Sequence, residues 1–165
     1  MKFIEQDIID EVVEELSSSA EKQQELIEQF QEDQPMIFTY LFSESFDSFT
    51  EDEKDLLLFI GLVNWRAITR VHPDCPEVTE KMLNDAEEEN WELIEDMKHK
   101  SFQHKLDFLF EGYPQEDLLA VAEDMIIDDD DQFITQVAKE AIFISAKSII
   151  DAFVTAIDAG ESKPD

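Results

Sequence analysis

The chain has 165 residues, of which 42 are acidic and 12 basic, and its formal net charge is -30. Such a charge opposes direct binding to nucleic acids and to anionic membranes, and three glycines are too few for a glycine-rich phosphate loop. Leu, Ile, Val and Phe still account for 50 of the 165 residues, or about 30%. This fraction is well above the roughly 20% below which chains stay disordered, so one folded domain is predicted.

The N-terminal part of the chain shows helical periodicity. Apolar residues recur at helical spacing over 4–16, and acidic residues occupy most of the other positions. This pattern predicts an amphipathic helix with an acidic outer face. Ser18 and Glu21 then match a capping box, which predicts that a second helix starts here and forms a hairpin with the first.

A third helix is predicted from Pro35 to about Ser45, because proline is favoured in the first turn of a helix. The apolar run at 36–42 would also pass as a buried strand, but we favour the helix. This region carries a stripe of phenylalanines, Phe38, Phe42, Phe46 and Phe49. The stripe is typical of a core face, although it could also pair two copies of the chain, so the oligomeric state stays open.

Two predicted helices are apolar nearly all round and are therefore expected to lie at the centre of the fold. Thr50 and Glu53 form a capping box before the first, whose apolar residues extend to Ile68. The second is predicted to run from about Gln132 to Asp158. A run of aspartates, Asp128 to Asp131, precedes it, and Asp129 to Asp131 are interpreted as its N-terminal cap.

Three more helices are predicted between the central ones. A connector at 72–76 contains two prolines and ends the first central helix. A long acidic helix follows over 77–98, with Leu93 assigned to its inner stripe. A short helix over 102–110 and another around 118–126 complete the series.

These elements predict an all-α fold. Residues 1–158 are expected to form a single domain, an antiparallel helical bundle or helix-hairpin array of seven to eight helices with two central apolar helices. Gly160 is expected to end the last helix in the left-handed conformation, which leaves 159–165 as a flexible tail.

The predicted location is the cytoplasm. The one cysteine, Cys75, forms no internal disulfide, and the first residues contain no apolar core of the signal-peptide type. The longest apolar run, over 56–63, is far shorter than the roughly 20 residues that a membrane span needs, so no membrane association is predicted.

No arrangement of side chains in the sequence points strongly to an enzyme. Asp96 and His99 give one carboxylate–histidine pair, but di-iron sites in helical bundles need more, so no metal and no cofactor are predicted. A Cys75 thiolate assisted by His72 is conceivable, yet nothing nearby offers an oxyanion hole. An ordinary half-buried thiol is the favoured interpretation.

Other polar residues leave two interpretations open. Asn64 interrupts an apolar helix that also holds the two arginines of the chain, Arg66 and Arg70. These residues either line a pocket for an anionic ligand or pair with neighbouring acids, and the pairing is favoured. The cationic stretch at 98–105 is expected to satisfy helix-end carbonyls and nearby carboxylates.

The negative charge is concentrated in three segments. Residues 1–33 hold 11 acidic and 2 basic side chains, 77–96 hold 9 and 1, and 114–131 hold 8 and none. The two central segments are nearly neutral, with +2 over 54–72 and -1 over 132–158. We therefore expect an acidic outer layer around two neutral helices.

The favoured function is a non-catalytic interaction or regulatory protein that docks a basic protein partner on its acidic surface. The densest acidic stripe, and thus the predicted binding site, consists of Glu87, Glu88, Glu92 and Glu95. One alternative is a DNA mimic that inhibits a nucleic-acid-binding protein. Another is a helical-bundle enzyme or ligand-binding protein with an internal pocket, and the charge could also serve solubility alone.

Overall fold

Eight α-helices and two short 3₁₀ turns make up the regular structure of residues 1–128 and 133–161, which the computed structural model describes. No strand occurs in these ranges, so the prediction of an all-α bundle of seven to eight helices is confirmed. The helices are α1 (Gln6–Ser17), α2 (Ala20–Asp33), α3 (Pro35–Leu41), α4 (Glu51–Val71), α5 (Glu80–Leu93), α6 (Phe102–Phe110), α7 (Glu116–Ile127) and α8 (Gln136–Glu161).

The two apolar helices, α4 and α8, lie at the centre as predicted. Helix α4 packs on α1, α7 and α8, while α8 also packs on α5, with which it shares the most extensive helix–helix interface. Ile60 and Val63 of α4 and Ile149 and Phe153 of α8 are completely buried. Each such side chain contributes on the order of 1.5–3 kcal/mol by leaving water, which explains how a chain of this charge folds.

One predicted capping box is present, and the other is replaced by a single N-cap hydrogen bond one residue later. The Thr50 hydroxyl accepts a hydrogen bond from the Glu53 backbone N–H at 3.2 Å, and the Glu53 carboxylate accepts one from the Thr50 N–H at 2.9 Å. The Ser18–Glu21 box is wrong, because Ser18 keeps helical backbone angles at the end of α1. Ser19 has the extended backbone that a cap requires, and its hydroxyl accepts from the Lys22 N–H at 3.0 Å.

Helix α3 forms where the strand alternative was considered, but it ends at Leu41 and a 3₁₀ turn follows at Glu44–Phe46. The phenylalanine stripe divides accordingly. Phe46 is buried against Tyr40, with ring centroids 5.5 Å apart, whereas Phe42 is 59% exposed.

The acidic helix α5 is shorter than the predicted 77–98. Thr79 caps its start by accepting a hydrogen bond from the Met82 N–H at 3.2 Å. The helix ends at Leu93 because Ile94 leaves helical geometry to bury its side chain, and a 3₁₀ turn follows at Glu95–Met97. The assignment of Leu93 to the inner stripe is wrong, since it is 43% exposed.

The prediction that Gly160 adopts a left-handed conformation is wrong. It is helical, and α8 continues to Glu161, beyond the predicted boundary at residue 158. A Cβ atom at Gly160 would lie 3.4 Å from Pro76 Cγ, an ordinary van der Waals distance, so α8 ends beside the connector. The positive φ among the described glycines belongs to Gly112, at 68°.

The start of α8 also differs from the prediction. Thr135 precedes the helix, and its hydroxyl accepts a hydrogen bond from the Ala138 N–H at 3.2 Å, so a threonine caps α8. Asp129 to Asp131, which were predicted to cap it, and the predicted start at Gln132 lie outside the described residues, as do residues 162–165 of the predicted tail.

Candidate functional site

The outer face of α5 is the most acidic helical surface that the sequence predicts, and packing decides which residues it presents. Leu83, Ala86 and Asn90 are buried on the side of α5 that faces the bundle. At 3.6 residues per turn, Glu88 and Glu92 lie on the opposite side, and both are exposed. The burial of α5 against α8 therefore turns these two carboxylates to solvent.

An open groove of about 470 Å³ runs along this face. Its lining residues come from α5, the following 3₁₀ turn and α8, and they are Glu88, Trp91, Glu92, Ile94, Glu95, Lys98 and Glu140. The groove thus combines four carboxylates, one ammonium group and two apolar side chains. Trp91 is 38% exposed, whereas Ile94 is buried and forms apolar floor.

Three of the four predicted binding residues, Glu88, Glu92 and Glu95, line this groove together. The fourth, Glu87, is half-buried, is not among the lining residues, and lies near Tyr40 of α3. Burial, with the nearby Glu87 charge, raises the pKa of the Tyr40 hydroxyl above its ordinary value of 10.0. The stripe that the sequence treats as one surface is therefore divided, with Glu87 on one side of α5 and the other three residues in the groove.

Three members of the groove, Trp91, Ile94 and Glu140, are not among the residues predicted from the sequence. Trp91 could have been found, since it lies three residues after Glu88 and therefore on nearly the same helical face. Glu140 belongs to α8 and has no local signal. Its carboxylate accepts a hydrogen bond from Lys105 Nζ at 2.9 Å. Lys105 belongs to the predicted cationic stretch, and its side chain is buried.

A buried polar network lies beneath α5, and its residues were not predicted from the sequence. Lys147 Nζ of α8 donates to the Asn90 side-chain oxygen at 2.6 Å and to the Asp151 carboxylate at 3.0 Å. The Tyr113 hydroxyl donates to the other Asp151 oxygen at 2.6 Å, and Lys147 Nζ lies 4.7 Å from the Tyr113 ring centroid. The Asn90 amide nitrogen donates to Ser148 Oγ at 3.1 Å.

We interpret this network as structural, because its polar groups form hydrogen bonds with one another. Burial, reinforced by the charge of Asp151, raises the pKa of Tyr113 and keeps its hydroxyl protonated as a donor. The bonds tie Asn90 to α8 immediately beside Trp91, so they hold the groove wall in place.

The two arginines of α4 make the structural pairs that the sequence favoured. Arg66 Nε donates to the Glu15 carboxylate at 2.9 Å, and Arg70 donates to Glu15 and to Glu11, both at 3.1 Å. These contacts join α4 to α1. Asn64 is completely buried, and neither polar atom of its side chain has a hydrogen-bond partner among the described residues.

The Cys75 thiol lacks the features of an activated nucleophile. Burial raises its pKa to about 11, so little thiolate is present near neutral pH. Burial lowers the pKa of His72, whose Nε2 accepts a hydrogen bond from the Lys2 backbone N–H at 3.1 Å. Both residues line a shallow cleft of about 330 Å³ beside Pro76 and Gly160.

Within residues 1–128 and 133–161, no three His, Cys, Asp or Glu side chains are grouped so that they could hold a metal ion. No helix in the described part of the chain combines the length and the apolar character that crossing a bilayer requires. No protein-family model matches the chain, and neither the curated proteins nor the solved structures contain a significant match to it.

Proposed function

We propose that this chain is a non-catalytic interaction protein that docks a basic partner protein in the groove on α5. The observation that supports this function is the convergence of Glu88, Glu92 and Glu95 around an exposed Trp91. Carboxylates attract a cationic partner, and the indole offers it apolar contact.

Three of the four carboxylates of the groove are free to bind a partner, and the fourth, Glu140, is paired with Lys105. No hydrogen bond or ion pair within the described residues engages the side chains of Glu88, Glu92 or Glu95. Each exposed charge pair with a partner would contribute about 0.2–1 kcal/mol, and the wider acidic surface would accelerate the encounter. We therefore expect binding that weakens as salt concentration rises.

The indole favours docking of a protein over mimicry of DNA, because a phosphate ladder has no apolar counterpart to Trp91. The same groove contains Lys98, whose positive charge also departs from an imitation of phosphates. We place the interaction in the cytoplasm and expect neither direct nucleic-acid binding nor membrane binding.

The test measures binding of short fluorescent peptides rich in lysine and arginine, by anisotropy, at low and at physiological salt. The groove variant carries Glu88→Gln, Glu92→Gln and Glu95→Gln. The matched control carries Glu14→Gln, Glu28→Gln and Glu32→Gln, which change the net charge equally at exposed positions of α1 and α2. We expect the groove variant to bind about 3- to 30-fold more weakly than the wild type and the control to change little.

Equal weakening in both variants would mean that the charge acts diffusely and that the groove is not the docking site. Displacement of duplex DNA from DNA-binding proteins by the wild type, undiminished in the groove variant, would instead support the mimic.

A further inference from the structure

We infer that the groove is selective for arginine, and that an arginine side chain of the basic partner stacks on Trp91 while its guanidinium pairs with Glu88, Glu92 or Glu95. This inference rests on the proposed function and specifies the side chain that the groove recognises. It depends on the indole as well as on the charges.

Trp91 is the more exposed of the two tryptophans. The chain has two tryptophans, and the other, Trp65, is 1% exposed and stacks on Phe30 with ring centroids 5.1 Å apart. Trp91 keeps 38% of its surface in solvent beside buried Ile94. The exposed part of this indole offers a flat apolar face to a molecule that enters the groove.

The carboxylates next to this indole define the chemistry of the occupant. Glu88 precedes Trp91 by three residues on α5 and is therefore its neighbour on the helix surface. Glu140, the carboxylate contributed by α8, is already bonded to Lys105. The three remaining carboxylates offer acceptors for a cation that lies flat on the indole.

Arginine suits this surface better than lysine for two reasons. The guanidinium is planar and weakly hydrated, so it stacks on an aromatic ring and still presents N–H groups at its edge to carboxylates. The lysine ammonium is a compact, strongly hydrated charge that gains less from the indole. The stacking is expected to favour arginine by about 2- to 5-fold in dissociation constant.

A substitution of Lys98 tests the same site independently of Trp91. It lines the groove, and no ion pair within the described residues engages its ammonium group. Its charge repels an incoming guanidinium, so Lys98→Met is expected to tighten binding of cationic peptides by about 2- to 3-fold. A tighter complex would exclude unfolding as the cause of the change.

The experiment compares three short peptides of one length and sequence pattern, whose repeated test residue is arginine, lysine or uncharged citrulline. Each is titrated against the wild type, Trp91→Ala, Trp91→Phe and Lys98→Met at physiological salt. Intrinsic fluorescence is followed in parallel, because Trp65 is buried and an emission change on binding therefore reports Trp91.

The inference is supported if the wild type binds the arginine peptide more tightly than the lysine peptide, and if the ratio of the two dissociation constants falls to about one in Trp91→Ala. Trp91→Phe should largely keep the preference, since phenylalanine retains a ring face. Equal affinity for the arginine and lysine peptides, with weakening of both by the groove variant, would overturn the selectivity and leave docking intact. Absence of binding by both charged peptides would overturn the proposed function itself.

Discussion

The Glu53 carboxylate accepts hydrogen bonds from the Thr135 backbone N–H at 2.9 Å and from the Thr135 hydroxyl at 3.0 Å, across 82 residues of sequence. Its other oxygen accepts the Thr50 N–H at the start of α4. Burial alone would raise the pKa of Glu53, but the hydrogen bonds from Thr50 and Thr135 lower it below 4.5 overall. One carboxylate thus caps α4 and anchors the start of α8.

Glu53→Ala is expected to lower the free energy of unfolding by about 2 kcal/mol, because the substitution removes the carboxylate half of the capping box of α4 and the anchor of a second helix. Chemical denaturation monitored by circular dichroism measures the change. Glu51→Ala removes an exposed carboxylate from the same helical turn and should have a much smaller effect. Similar losses in the two variants would contradict the anchoring role.

Glu15→Gln is expected to lower the free energy of unfolding by about 1–2 kcal/mol near neutral pH, since Glu15 joins both arginines of α4 to α1. The hydrogen bond from Arg66 and the charges of Arg66 and Arg70 hold the pKa of Glu15 below its usual 4.5. The stabilisation is therefore complete above that value and is lost as the pH falls through the lower folded-state pKa.

Denaturation of wild type and Glu15→Gln over a pH series tests whether the stabilisation by Glu15 is lost as the pH falls. The stability difference between them should be constant from neutral pH down to mildly acidic pH and should shrink below pH 4.5. Glu14→Gln, at an exposed neighbouring position, is the control and should give only a small difference in stability. A Glu15 difference that grew on acidification would contradict the assignment.

Lys147→Met is expected to destabilise the protein by about 3–5 kcal/mol, because it leaves the Asp151 carboxylate without its buried cation. Lys81→Met is the control, since Lys81 forms an ion pair with Asp85 but is 82% exposed. The control should change the unfolding free energy only slightly, because solvent screens an exposed ion pair. If Lys147→Met were equally mild, the network would not be holding α5 on α8.

Asn64→Leu is expected to raise the free energy of unfolding by about 1–3 kcal/mol, because it replaces an unpartnered buried amide by an apolar side chain with the same number of non-hydrogen atoms. Leucine also has the higher helix propensity, which the exposed substitution Asn84→Leu measures separately. If Asn64→Leu lost stability while Asn84→Leu kept the stability of the wild type or gained some, Asn64 would have a partner such as an internal water.

Local sequence determined the helical framework of this protein. The apolar residues of α4 and α8 mark both helices as central because burial on all sides requires apolar residues on all sides. Thr50 and Glu53 mark the start of α4 because a capping box is made by residues only three positions apart. The acidic character of α5 is likewise a property of consecutive residues.

Tertiary structure decided where these elements end and what they bring together. Ile94 leaves the helix to enter the core, which ends α5 early and exposes Leu93. Glu140 joins the groove only because α8 packs on α5, and Thr135 reaches Glu53 only because α8 begins beside α4. Such contacts join residues far apart in sequence, whose proximity depends on the packing of whole helices, so no local pattern encodes them.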